Sequence, residues 1–125
     1  MNITEDYVSY EVAKLLKEKG FDEPCQKCYY VSTKNIEDVH NGRNTILSSF
    51  FISCPTHQMT MKWLREVHKI NIDIKSRWKL NPYKLDYYYF VLHYKNVPSD
   101  SFIIKFDSYE EAVEAALKYT LENLV

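Results

Sequence analysis

Two pairs, Cys25-x-x-Cys28 and Cys54-x-x-His57, carry the sharpest chemical grammar in this chain. Three thiolates and one imidazole form a donor set for tetrahedral zinc, and each pair has knuckle-like spacing. The residues inside the pairs argue the other way. Gln26-Lys27 and Pro55-Thr56 stand where a knuckle favours glycine or other small residues. His57 falls in the first turn of an expected helix, and Cys28 in an expected strand, where an inward free cysteine is an ordinary core residue. The Cys-x-x-Cys also lacks the strand-to-helix setting that lowers a thiol pKa, so a redox pair is weaker still. A zinc-stabilised domain is therefore the third-ranked function, with no metal ligand and no cofactor assigned.

The second set is cationic. Lys62, Arg65, Lys69, Lys75, Arg77, Lys79 and Lys84 interleave with Trp63, Trp78 and Tyr83. Phosphates attract such cations, and bases stack on such rings. Residues 56–95 hold eight basic residues against three acids, a charge of +5, whereas 1–24 carry −3 and 96–125 carry −4 in a chain of net charge −1. The competing explanation is a solvated helix face followed by an edge strand that lysines protect from aggregation. Trp63 is expected in the core. On a nucleic acid, Lys62, Arg65 and Lys69 would reach phosphates from a helix over 56–69, and Arg77 would join them from the strand over 70–80.

Tyr87, Tyr88, Tyr89 and Tyr94 suggest a binding face, although aromatic strands are favoured for packing reasons alone. Outward tyrosines exposed together would mark a protein-partner site. Catalysis has little support. His40, His57, His68 and His93 are scattered, no Ser-His-acid or Cys-His pairing has local support, and no two carboxylates meet outside surface-like helix turns. Two isolated glycines, Gly20 and Gly42, cannot build a phosphate loop or a dinucleotide fingerprint. The expectation is a protein that is not an enzyme.

These residues are positioned by an α+β pattern. A helix from Ser9 to Lys19 has Ser9 as N-cap, an apolar stripe of Val12, Leu15 and Leu16, and Gly20 as its stop. Strands over 28–33 and 46–53 flank a polar stretch, 34–44, read as a long loop with a turn at Asn41-Gly42. A helix over 56–69 is expected to bury Met59, Trp63, Leu64 and Val67. Ile70, Ile72 and Ile74 alternate with polar residues as an edge strand. Residues 85–94, apolar or aromatic on both faces, read as a central strand, with Asn81-Pro82 as the turn before it. A strand over 101–106 follows. Ser108 and Glu111 then form a capping box for a last helix burying Val113, Ala116, Leu117, Leu121 and Leu124.

The order is α-β-β-α-β-β-β-α: three helices on a mostly antiparallel sheet of three to five strands, in one domain over 1–125. The 46% apolar content supports a core for a chain of 125 residues. The acidic N-terminal segment resembles neither a signal peptide nor a membrane span, and three cysteines suit a reducing compartment. A cytoplasmic protein with no membrane contact is expected.

Three segments add a resemblance: YVSYEVAKLLKEKGFDEPC (7–25), PTHQMTMKWLREVHKI (55–70) and SYEEAVEAALKYTLENL (108–124), over two-fifths of the chain. Together they resemble a widespread group of small uncharacterised proteins carried by phages, prophages and mobile elements of anaerobic gut bacteria. That resemblance implies a cytoplasmic accessory role and transfers no functional residue. In the group's pattern a cysteine at Cys25 is usual, whereas residues like Cys28, Cys54 and His57 are not, which lowers the zinc reading further. The first-ranked function is a non-enzymatic binding or accessory protein that meets a protein partner. Nucleic-acid binding through the basic 56–84 segment stands second. A homo-oligomer is left open.

Overall fold

The computed structural model describes residues 3–95, 100–101 and 104–125. Among them the order is α1 (Tyr10–Glu18), β1 (Cys25–Tyr30), β2 (Ile36–Gly42), β3 (Phe51–Ser53), α2 (His57–His68), β4 (Ile70–Leu80), β5 (Tyr83–Tyr94), β6 (Asp100–Ser101) and α3 (Tyr109–Asn123). This is an α+β fold whose strands form two antiparallel sheets of three, ordered β2-β1-β3 and β4-β5-β6. The chain groups into two compact units, Met1–Met59 with Lys118–Val125, and Thr60–Leu117. No helix among the described residues is long and apolar enough to cross a membrane.

In the first unit α1 begins where Ser9 accepts a hydrogen bond from the Val12 amide at 3.2 Å. It ends at Gly20, whose φ of +89° is a conformation that side-chain-bearing residues rarely adopt, and the Phe21 amide closes back onto the Leu16 carbonyl at 2.9 Å. Val12, Ala13, Leu16, Phe21, Ile52 and Leu121 are buried here.

The polar stretch expected as a loop is instead strand β2, paired with β1 through Cys28↔Glu37 and Tyr29↔Ile36. Its side chains are mostly exposed, because an edge strand needs only backbone pairing to stay in register. Asn41-Gly42 is not a turn but part of a bulge that realigns Cys25 with Gly42. A Cβ at Gly42 would come within 2.6 Å of Val39 Cγ1. The actual hairpin turn lies before β2, where the Tyr30 amide donates to the Asn35 carbonyl and Lys34 has a φ of 60°.

The strand expected over 46–53 shortens to 51–53 for a clear reason. The Asp22 carboxylate accepts from the Thr45 amide and hydroxyl, Asn44 Nδ2 donates to the Phe21 carbonyl, and the Arg43 guanidinium donates to the Asp22 carbonyl. These bonds hold 43–45 in a turn that no apolar pattern could announce. The same two Thr45 bonds push the half-buried Asp22 carboxyl below its ordinary pKa.

The second unit contains a long hairpin. β4 and β5 pair from Ile70↔Tyr94 to Leu80↔Tyr83 around the two residues Asn81-Pro82, joined by a cis peptide. β5 is the central strand of its sheet, as its two-sided apolar pattern predicts. Phe90 and Leu92 are buried on one face with Ile70, and Phe90 stacks on Phe106 at 6.1 Å. Tyr109 of α3 meets Tyr88 edge-on at 6.0 Å. The Ser108 half of the capping box forms, with Ser108 Oγ accepting from the Glu111 amide at 3.1 Å. Of the strand expected over 101–106, residue 101 ends β6, residues 102–103 lie outside the described set, and Phe106 forms an isolated bridge with Tyr88.

Helix α2 corrects a phase. Met59 and Val67, expected inside, are exposed, whereas His57, Thr60, Met61, Trp63 and Leu64 are buried. His57, Thr60, Met61 and Leu64 follow the i, i+3, i+4, i+7 spacing, so the buried stripe admits two polar side chains and excludes two apolar ones. The apolar residues alone pointed to a neighbouring stripe.

Candidate nucleic-acid interface

Cross-strand pairing fixes which hairpin side chains share a face, since paired residues project to the same side and alternate along each strand. Ile70, Ile72, Ile74, Ser76, Trp78 and Leu80 lie on one face. Asn71, Asp73, Lys75, Arg77 and Lys79 lie on the other, with their partners His93, Val91, Tyr89, Tyr87 and Lys84. The register slips once, between Arg77 and Trp78, which leaves Asp86 as the extra residue on β5.

From Lys75 to Lys84 every residue is exposed, so the hairpin's distal half is a bare two-stranded ribbon. That decapeptide contains four cations and no acid. All four, Lys75, Arg77, Lys79 and Lys84, fall on one face. Lys79 and Lys84 stand directly opposite each other, a like-charge pairing that costs stability in a sheet. Asp86 offsets it only in part, at 3.8 Å from the Lys79 ammonium. Half-buried Tyr87 and Tyr89 continue this face toward the body of the unit, their rings 6.1 Å apart, and the Lys105 ammonium lies over Tyr87 at 4.9 Å. At the root of the face His93 bonds Asp73 at 2.8 Å, and Asn71 donates to the same carboxylate at 3.1 Å.

The opposite face of the ribbon ends in rings. Trp78 and Tyr83 stack with centroids 5.3 Å apart and planes only 15° from parallel, and the Trp78 indole donates to Ser76 Oγ at 3.1 Å. Trp78, Leu80 and Tyr83 are 44%, 84% and 72% exposed.

The expected phosphate ligands divide between two elements. Arg77 sits in the middle of the ribbon's cationic row. Lys62, Arg65 and Lys69 are exposed on α2 and at its end. Arg65 lies 3.9 Å from the Glu66 carboxylate, and Lys69, at a left-handed φ of 59°, caps the helix by donating to the Glu66 carbonyl at 2.8 Å. Arg65 and Lys69 are thus engaged locally, as Lys79 of the ribbon is by Asp86. Trp63 is buried, edge-on to His68 at 4.6 Å. The contribution of Lys105 was hidden in the sequence, because only its contact with the Tyr87 ring joins it to the face of Lys75 and Arg77.

The thiol set stands in a different environment. Cys25, Cys28 and Cys54 are buried and form no disulfide, and Cys25 and Cys28 lie on β1 with its register slip between them. Burial pushes the Cys25 thiol up to about 11 and raises Cys28 as well. Cys25 donates to the Glu23 carbonyl and Cys54 to the Val8 carbonyl, each at 3.5 Å. An open cleft of about 400 Å³ is lined by Cys25 and Cys54 with Glu5, Tyr7, Asn41 and Gln58, but not by Cys28 or His57. Among the described residues no three of the His, Cys, Asp and Glu side chains gather as metal ligands. Cys25, Cys28, Cys54 and His57 therefore do not converge.

Comparison with known protein families, with curated proteins and with solved structures finds no match to this chain.

Proposed function

We propose that this protein binds nucleic acid through the outward face of the β4–β5 ribbon, with Lys75, Arg77, Lys79 and Lys84 on phosphates. The observation that carries this reading is the cationic row, which Asp86 offsets only in part, above all Lys79 set directly across from Lys84. A fold gains nothing from that pair, and an anionic ligand bridging it would turn repulsion into attraction. Two half-buried tyrosines and Lys105 extend the same surface, which joins phosphate-binding charge to ring area. Lys62 and Arg65 on α2 supply a weaker, secondary attraction. The role is one of binding rather than catalysis. The resemblance to phage, prophage and mobile-element proteins adds a cytoplasmic accessory setting in which nucleic acid is at hand.

The test is fluorescence anisotropy with labelled oligonucleotides over a salt series. Affinity should fall linearly on a log–log plot against salt, with a slope of about −3 to −4 if four phosphates are neutralised. Absence of binding at low salt would overturn the proposal and return the exposed rings at the hairpin tip to a protein partner.

A further inference from the structure

The ribbon's second face adds information that charge alone does not hold. Trp78 and Tyr83 form a two-ring column, fixed at its inner end by the indole bond to Ser76, and Tyr83 is 72% exposed at the other. Cross-strand stacking stabilises the hairpin tip only modestly and leaves both rings partly open to solvent, and here the two are held parallel within one turn of the apex. A stacked pair with an open outer ring is one end of a longer stack, and a nucleobase completes it. In intact duplex each base is already stacked on both sides, so only an unpaired base is free to join the column. The cation spacing agrees. Lys75, Arg77 and Lys79 recur at i, i+2, i+4, so neighbouring charges stand about 7 Å apart along β4. That is the scale of successive phosphates in an extended single strand.

We infer that the ligand of this hairpin is single-stranded nucleic acid, its backbone following the cationic row and one base stacking on Tyr83 at the tip. The inference rests on the nucleic-acid reading above and narrows it to unpaired strands. Stacking on a π-face is tolerant of base identity, so the preference is for strandedness and not for sequence. Trp78 is the positioning residue that keeps Tyr83 in plane.

The experiment measures binding of the full chain to three probes of equal phosphate number, about twelve nucleotides long: oligothymidylate, an abasic strand of the same length, and a duplex. Oligothymidylate should bind about tenfold or more tighter than the abasic strand, and tighter than the duplex. Its binding should quench the exposed Trp78, which the abasic strand leaves bright. Tyr83→Ala should bring oligothymidylate down to the abasic level with the salt slope unchanged, and Tyr83→Phe should restore the difference. Equal affinity for oligothymidylate and abasic strand, or tighter binding of duplex, overturns the base-stacking inference and leaves the phosphate reading standing. No binding of any probe at low salt overturns both. Tyr83 lies at an exposed tip, so a circular dichroism spectrum matching the parent is expected, and the Phe variant separates loss of the ring from loss of fold.

Discussion

Cys25, Cys28 and Cys54 are 3%, 2% and 0% exposed, while every residue from Lys75 to Lys84 is open to solvent. Each region holds a set of side chains with a recognisable chemistry, and backbone geometry treats the two sets in opposite ways. The thiols are spread along β1, across its register slip, and onto the segment after β3, and burial holds Cys25 and Cys28 protonated. A ligand set that cannot converge, built from thiols that resist ionisation, is a packing device. The hairpin does the reverse: alternation along β4 and pairing across to β5 collect cations scattered over ten residues onto one face. Residue types state what chemistry is available, and the register of a strand decides whether it is assembled.

Four measurements would break or sharpen that contrast, the largest first. Reversing all four ribbon cations to Glu should abolish oligonucleotide binding, whereas reversing Lys62, Arg65 and Lys69 should weaken it only moderately. The parent protein should itself lose about a hundredfold in affinity between roughly 50 and 200 mM salt, the counterions of four phosphates being released on binding. A helix triple variant as damaged as the ribbon variant would move the site to α2. Next, Phe90→Ala should destabilise the fold by about 3–5 kcal/mol in urea titrations, the usual cost of emptying an aromatic core position. Leu80→Ser at the exposed tip should cost less than about 0.5 kcal/mol. Comparable losses at the two positions would mean that the tip is packed.

The third effect is smaller and depends on pH. Cys25 titrates near 11 in the folded chain against an ordinary value of 9.0. The folded state keeps its proton when the unfolded chain has already released it, so stability should be intact below pH 9 and decline as pH rises toward 11. Urea midpoints across that window should fall in the parent and flatten in Cys25→Ala; a parent curve with no Cys25-dependent decline would place the thiol in solvent. The smallest expected effect is none at all. Excess chelator should leave the melting temperature unchanged, and a drop of several degrees would revive a zinc site at Cys25, Cys28, Cys54 and His57.

Much of this architecture was legible one residue at a time. The Ser9 cap, the Gly20 stop and the Ser108 cap are local devices, and each lies where its spacing predicts. The two-sided apolar run of 85–94 announced a central strand, and β5 is one. Elements whose stability comes from a distant partner were not legible. Residues 36–42 look like a loop because an edge strand draws its bonds from β1, and 46–50 look like a strand because nothing local reveals that Asp22 captures Thr45. The α2 stripe was misread by one phase, since Thr60 and His57 are buried where apolar residues were the only visible markers.

For the candidate site, the sequence by itself determined the ingredients: a +5 segment, its interleaved rings and the Asn81-Pro82 turn. Only tertiary structure decided their arrangement, through the register that opposes Lys79 to Lys84 and Arg77 to Tyr87, and through the single bulge at Asp86. The physical reason is that a side chain's face in a two-residue repeat is reset by any slip, so its direction depends on pairing partners far along the chain and not on its neighbours in sequence.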